Sequence, residues 1–292
     1  MRTITTIADM QRFADGERRS GRTIAFVPTM GALHEGHLSL VRQARERADS
    51  VVVSIFVNPI QFNSRSDFEK YPRDDARDAR LLEQERVAVL FLPAADEIYP
   101  PGFQTRVEVT EITQPLCGAH RPGHFAGVTT VVAKLFLAVK PHLAVFGAKD
   151  YQQLQVVRQM VRDLNFDIEI VAGETVRERD GLAMSSRNVR LSAADRERAR
   201  AVPHAIERVR QAAQQGEADP AALAATFVTE MESVGARVEY AELRHPDTLG
   251  GIDRLEGRAV FAVAVWLGEV RLIDNAIIER GATPRLAAGG ER

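Results

Sequence analysis

With 292 residues, 45% hydrophobic and 27% charged, the chain has the composition of an ordinary folded protein and is long enough for two domains, each with its own core. A formal net charge of -2 gives no whole-molecule field toward nucleic acid or a membrane surface, so any anionic ligand must be met by locally clustered groups. The single cysteine, Cys117, excludes an intrachain disulfide, and the apolar runs at 51–57 and 259–267 fall far short of the roughly 20 residues that span a bilayer. Residues 1–9 lack the apolar stretch of a secretory leader, so a cytoplasmic protein is expected.

Up to about residue 175, short β-branched runs alternate with helix-like stretches, the pattern of βαβ units on a mostly parallel sheet. Strands are predicted at 23–27, where Pro28 ends the run, and at 50–57, 87–92, 143–147 and 168–172. Between the first two, Leu38, Val41, Ala44, Arg45 and Ala48 recur at helical spacing, which makes 23–57 one strand-helix-strand unit. The character changes at Ser192, a helix cap with Asp195 in the following turn, and Asp219-Pro220 opens a second helix in succession. Strands follow at 236–243, 258–267 and 270–274, the last two joined by a tight turn at Gly268-Glu269. The expected architecture is α/β: a Rossmann-like domain over 1–175 and a smaller α+β domain over 176–292, with the active site in the cleft between them. The tail from 281 to 292 is rich in Gly, Ala and Arg without periodicity and is predicted to be disordered.

Directly after the first strand comes Pro28-Thr29-Met30-Gly31-Ala32-Leu33-His34-Glu35-Gly36-His37, running into a helix that begins near His37. A loop that leaves the carboxyl end of a parallel strand and feeds a helix N-terminus offers free N–H groups and the positive end of the dipole, both suited to phosphate. Gly31 and Gly36 allow close backbone approach, and His34 and His37 can donate to phosphate oxygens without a buried permanent charge. Zinc ligation by this pair lacks further ligands, and no G-x-x-x-x-G-K-[ST] loop is present. The H-x-G-H pattern resembles the signature of nucleotidylyltransferases and class I aminoacyl-tRNA synthetases, which direct attack to the α-phosphorus of ATP.

Further segments narrow the resemblance. Phe56-Val57-Asn58-Pro59-Ile60-Gln61-Phe62, Arg121-Pro122-Gly123-His124-Phe125, Phe146-Gly147-Ala148-Lys149-Asp150-Tyr151-Gln152-Gln153-Leu154, Asp180-Gly181-Leu182-Ala183-Met184-Ser185-Ser186-Arg187-Asn188 and Ala264-Val265-Trp266-Leu267-Gly268 occur in this order. With the H-x-G-H loop they resemble the pantothenate synthetase family (pantoate–β-alanine ligases) in register over nearly the whole chain. The resemblance implies ATP-dependent condensation of pantoate with β-alanine through pantoyl adenylate, with Mg2+ accompanying ATP, and a homodimer that binds neither nucleic acid nor membrane. It places ATP on Met30, Gly31, His34, Gly36, His37, Gly147, Lys149, Asp150, Val176, Met184, Ser185, Ser186 and Arg187. Pantoate and β-alanine fall on Gln61, Gln153 and Met30, and catalytic roles on His34, His37, Lys149 and Arg187.

As chemistry the set is coherent. Adenylation needs the acid held in line and the charge on departing pyrophosphate neutralised, for which Lys149 and Arg187 are suitable cations and Ser185 and Ser186 are hydroxyl donors. Their position past the expected domain boundary makes the second domain a lid. Pantoate carries a carboxylate, two hydroxyls and a gem-dimethyl group, so amides should meet apolar walls, here Met30 and Phe62, with Asn58 and Tyr71 as further candidates. Ala148 stands where the resembled family frequently has glutamate, and Cys117 where glutamate is also found, so no magnesium contact is assigned to those positions. A nucleotidylyltransferase acting on a phosphate ester would need a basic acceptor pocket where this chain has Gln61 and Gln153. A nucleotide-sensing protein would need the phosphate loop but not Lys149 and Arg187.

Overall fold

A computed structural model describes residues 1–281. The chain forms two compact units, Met1–Arg190 and Leu191–Arg292. The division falls later than the expected 175/176, because 176–190 folds back on the first unit: an Arg177↔Ala183 bridge closes it on itself, and Arg187 and Arg190 both pair with Asp67. The expectation for the tail lies outside the described residues, save Gly281.

In the first unit the order is β1 (Arg2–Ile4), α1 (Ile7–Arg19), β2 (Ile24–Thr29), α2 (Glu35–Arg45), β3 (Ser50–Ile55), α3 (Arg65–Glu69), α4 (Asp75–Gln84) and β4 (Val89–Phe91). There follow α5 (Ala95–Ile98), α6 (Cys117–His120), α7 (His124–Val139), β5 (Leu143–Gly147), α8 (Tyr151–Asp163) and β6 (Glu169–Gly173). The six strands form one parallel sheet in the order β1-β4-β3-β2-β5-β6. Strand β1 was not expected: at three residues it is too short to show a period, and it is held by its register on β4.

Period-two alternation in the strands builds a core on each face. Ile24, Phe26, Val52, Phe91, Ala144 and Phe146 point to the side covered by α1, α7 and α8; Ala25, Val27, Val51, Val53, Leu90 and Val145 point to the side covered by α2 and α4. On the first side Phe136 of α7 meets Phe26, Phe146 and Phe166 edge to face, with centroids 6.3, 6.3 and 5.8 Å away.

The second unit holds α9 (Ala193–Ala199), α10 (Ala201–Gln214) and α11 (Pro220–Ser233), then β7 (Arg237–Arg244), β8 (Arg258–Leu267) and β9 (Val270–Glu279) in an antiparallel sheet ordered β7-β8-β9. Ser192 caps α9 by accepting the Asp195 N–H, and Asp219 caps α11 with Pro220 in its first turn. Three helices stand where two were expected, α9 and α10 being separated at Arg200. Strand β9 outruns its expected end because it pairs with β8 along its whole length, from Leu267↔Val270 to Arg258↔Glu279.

Phe136 is 2% exposed and has three aromatic partners, so Phe136→Ala should cost about 3–5 kcal/mol in a denaturant titration. A loss under about 1 kcal/mol would contradict this packing.

Candidate active site

The chain leaves β2 toward β3 on one side of the sheet, while β5 lies on the other, so the strand order switches direction between β2 and β5. Ligands of open α/β sheets bind outside the carboxyl ends of the strands at such a point. Here the crevice is real: β2 pairs with β3 as far as Thr29↔Ile55, but with β5 only at Ala25↔Leu143 and Phe26↔Ala144. This explains why Pro28 lies inside β2 rather than ending it. The carbonyl of Ile24 accepts from the His142 N–H, so even-numbered residues of β2 turn their backbone groups toward β5. By Pro28 that pairing has ceased, and its missing N–H forfeits no ladder bond.

The loop after β2 enters α2 through a reciprocal cap made by the two histidines. His34 is the N-cap residue of α2, and its Nδ1 accepts the Gly36 N–H at 3.2 Å; the Nδ1 of His37 accepts the His34 N–H at 3.3 Å. A backbone N–H can only donate, so in both neutral rings Nδ1 is the acceptor and the proton sits on Nε2. The rings lie 4.0 Å apart, and both residues line a pocket. A Cβ on Gly36 would stand 2.9 Å from His34 Cε1 and 3.0 Å from its Nδ1, so a larger residue would push the His34 ring out of its cap.

Burial holds both rings neutral. The pKa of His34 falls to about 4, chiefly through burial and then through the Lys149 ammonium; that of His37 falls to about 3 through burial and then His34. Beneath the loop, Asp78 is fully buried, and its Oδ1 accepts the Leu33 N–H at 2.9 Å. Arg77 donates to the Leu33 carbonyl at 3.0 Å. This clamp holds a turn in which Gly31 and Ala32 both take positive φ, 79° and 50°. Burial raises the Asp78 pKa, and its Oδ2 is buried without a partner.

Of the residues expected to bind ATP or pantoate, all but Gly31 line this one pocket: Met30, His34, Gly36, His37, Gln61, Gly147, Lys149, Asp150, Gln153, Val176, Met184, Ser185, Ser186 and Arg187. Lys149 stands 3.9 Å from Asp150. Arg187 pairs with Asp67 at 3.1 Å, lies over the Tyr71 ring at 5.7 Å, and follows Ser186, whose hydroxyl is 3.4 Å from that of Tyr71. For Asp67, burial would raise the pKa, but the Arg187 and Arg190 guanidiniums outweigh it and hold the carboxyl below its usual value.

Adjacent glutamines have separate tasks. Gln153 faces the pocket, whereas Gln152 is buried and ties down the 112–117 loop by donating to the Ile112 and Pro115 carbonyls and accepting from the Cys117 N–H. Phe62 is not a pocket wall: it packs edge to face against Phe68 and Tyr71. The apolar wall comes instead from Val128, Val131, Val132 and Leu135 of α7, which the sequence reading missed. The available signal was the apolar run 131–139, interrupted only at Lys134. Glu174 and Thr175 were missed too, and Asn58 and Tyr71 do line the pocket.

A doubly wound parallel sheet with its pocket at the switch point, walled by a histidine-capped helix and two cations, defines an α/β ligand-binding fold of the Rossmann-like class. Residues 2–277 match the family model of pantoate–β-alanine ligase. The chain is 49% identical over 279 residues to the pantothenate synthetase of Thermotoga neapolitana, covering 95% of this chain and all of that one. It is 51% identical to the enzyme of Geobacter sulfurreducens, covering 95% and 99%. Among solved structures it is similar to pantothenate synthetase from Thermus thermophilus, with 47% identity, a TM-score of 0.89, and coverage of 94% of this chain and 99% of that one. It is also similar to pantoate-β-alanine ligase from Francisella tularensis complexed with β-γ ATP and β-alanine, with 36% identity, a TM-score of 0.81 and coverage of 95% and 97%. The chain belongs to the pantoate–β-alanine ligase family and is an amide-forming ligase.

The neutral histidines set an acid limit on the fold. Unfolded histidines titrate near 6.5, so between that pH and about 4 the unfolded chain binds more protons than the native one, and stability rises with pH across the window. Denaturant titrations of the parent and His37→Gln at pH 6.5 and 4.5 should show a smaller acid loss in the variant; equal losses would mean that His37 is not held neutral.

Proposed function

We propose that the pocket binds ATP and pantoate side by side, forms pantoyl adenylate, and then passes the acyl group to β-alanine. The carboxylate oxygen of pantoate attacks the α-phosphorus and pyrophosphate leaves; the neutral amine of β-alanine then attacks the acyl carbon and AMP leaves with the former carboxylate oxygen. The observation that carries this reading is the convergence on one pocket of donors for phosphate and amides for an acid.

In this reading the Nε2–H groups of His34 and His37 donate to phosphate oxygens from the N-terminus of α2, where the helix dipole also favours negative charge. Because both rings are neutral, they stabilise charge without giving up a proton. Lys149 and Arg187 neutralise the charge that builds on departing pyrophosphate, and Ser185 and Ser186 add hydroxyl donors. Gln61 and Gln153 bind the oxygens of pantoate, and the α7 wall of Val128, Val131 and Val132 accepts its gem-dimethyl group.

Among the described residues no group of three or more His, Cys, Asp or Glu could hold a metal, and the pocket lining carries two carboxylates, Asp150 and Glu174. That donor set fits Mg2+, which bridges phosphates, keeps several waters and takes one or two carboxylates. Asp150 and Glu174 would hold the ion, and it would add positive charge beside the triphosphate.

Isotope exchange tests the reading. With pantoate and Mg·ATP but no β-alanine, the protein should exchange labelled pyrophosphate into ATP, and omitting pantoate should abolish the exchange. Release of ADP and phosphate, or exchange that needs β-alanine but not pantoate, would contradict it. His37→Ala and Lys149→Ala should each slow adenylation about 10²- to 10³-fold without unfolding the chain; a folded variant with near-parental exchange would remove that residue from the mechanism.

A further inference from the structure

We propose that Tyr99, which does not line the pocket, is a positioning residue for the acid substrate: through Asn58 it holds the Gln61 amide with its NH2 edge toward the pocket. This rests on the assignment of Gln61 to pantoate and deepens it by fixing which end of the amide the substrate meets.

The chain of polarity starts at a group that cannot be reversed. The carbonyl of Gly127, in the first turn of α7, can only accept, and Asn58 Nδ2 lies 3.1 Å from it. The Asn58 amide must therefore present its NH2 there, and the same Nδ2 lies 2.9 Å from Gln61 Oε1. That oxygen is committed to accepting, so the opposite edge of the Gln61 amide, Nε2, faces Met30 Sδ at 3.1 Å on the pocket wall. A thioether is a weak acceptor, so this NH2 is under-satisfied until a stronger oxygen arrives. On the other side, the Tyr99 hydroxyl donates to Asn58 Oδ1 at 2.8 Å. Reversing the Asn58 amide would set its oxygen against the Gly127 carbonyl and leave Tyr99 facing an NH2.

The relay is rigid. Asn58 is 1% exposed and Gln61 8%. The Gln61 carbonyl accepts from His124 Nδ1 at 2.8 Å and from Arg121 Nη2 at 3.2 Å, so its main chain is fixed as well. The Tyr99 ring is seated between Phe56 and Phe103, with centroids 6.1 and 5.1 Å away, and burial raises its pKa, which keeps the hydroxyl a donor. A Cβ on Gly127 would lie 2.7 Å from the Ile60 carbonyl oxygen and 2.8 Å from Gln61 Cα, so glycine alone lets α7 come close enough to begin the relay.

The pocket therefore offers the acid a donor at Gln61, and an acceptor oxygen of pantoate is what it takes. Calorimetric titration of the full chain with pantoate, and separately with ATP, reads this directly. Tyr99→Phe keeps the ring and removes the hydroxyl; it should weaken pantoate binding roughly tenfold, the effect of one neutral hydrogen bond, and leave ATP binding unchanged. Gln61→Glu keeps an oxygen for Asn58 but turns a carboxylate to the substrate, so it should bind pantoate more weakly than Gln61→Ala does. Gln61→Glu binding pantoate better than Gln61→Ala would overturn the polarity. Tyr99→Phe weakening ATP and pantoate alike, or neither, while Gln61→Ala weakens pantoate, would overturn the relay alone. If Gln61→Ala left pantoate binding intact, the assignment of Gln61 to the acid would fall, and the relay with it. Should Tyr99→Phe not fold, the comparison of Gln61→Glu with Gln61→Ala still decides the polarity.

Discussion

The backbone N–H groups of His34 and Gly36 each end on an imidazole Nδ1, and the remaining features of the site depend on that exchange. It caps α2, it holds both rings over the pocket, and it leaves the proton of each ring on Nε2. A serine or aspartate cap would satisfy the same N–H groups, but would spend its acceptor on the helix and present no N–H beyond it. Imidazole has two nitrogens in fixed opposition, so one can cap while the other donates. Burial strengthens the arrangement by depressing both pKa values, which keeps Nδ1 an acceptor at neutral pH.

Around this cap the sheet provides a gap and the loops provide charge. The early end of β2–β5 pairing opens the crevice, and Pro28 sits where its lack of an N–H is harmless. Asp78, buried beneath the turn, holds the Leu33 N–H and so fixes the approach to His34. On the far side, α7 supplies an apolar wall and, through the Gly127 carbonyl, the polarity of the amides. The permanent charges of the pocket lining, Lys149 and Arg187, lie beside Asp150 and Asp67.

What was legible in the sequence is what acts locally. The H-x-G-H loop, the caps at Ser192 and Asp219 and the hairpin at Gly268-Glu269 are each set within a few residues, and each stands where expected. Features that depend on distant partners were not readable. Pro28 looks like a strand end until β5 is seen to have withdrawn, and β1 has no pattern apart from β4. Helix α7 is apolar around its whole circumference, so no period marks the side that faces the pocket. Tyr99 and Asn58 are 41 residues apart and meet only in the fold. The segment 176–190 reads as the start of the second domain until Asp67 is seen to hold Arg187 and Arg190.

Both imidazoles are neutral and protonated on Nε2, a state that nitrogen NMR reads out. In protein labelled with 15N at histidine and held at pH 7 without ligand, long-range proton–nitrogen correlations should show His34 and His37 each with a protonated Nε2 and a bare Nδ1. They should stay so as the pH falls to about 5. An imidazolium pattern at pH 7, or a proton on Nδ1 of either ring, would contradict the reciprocal cap and the donor role built on it.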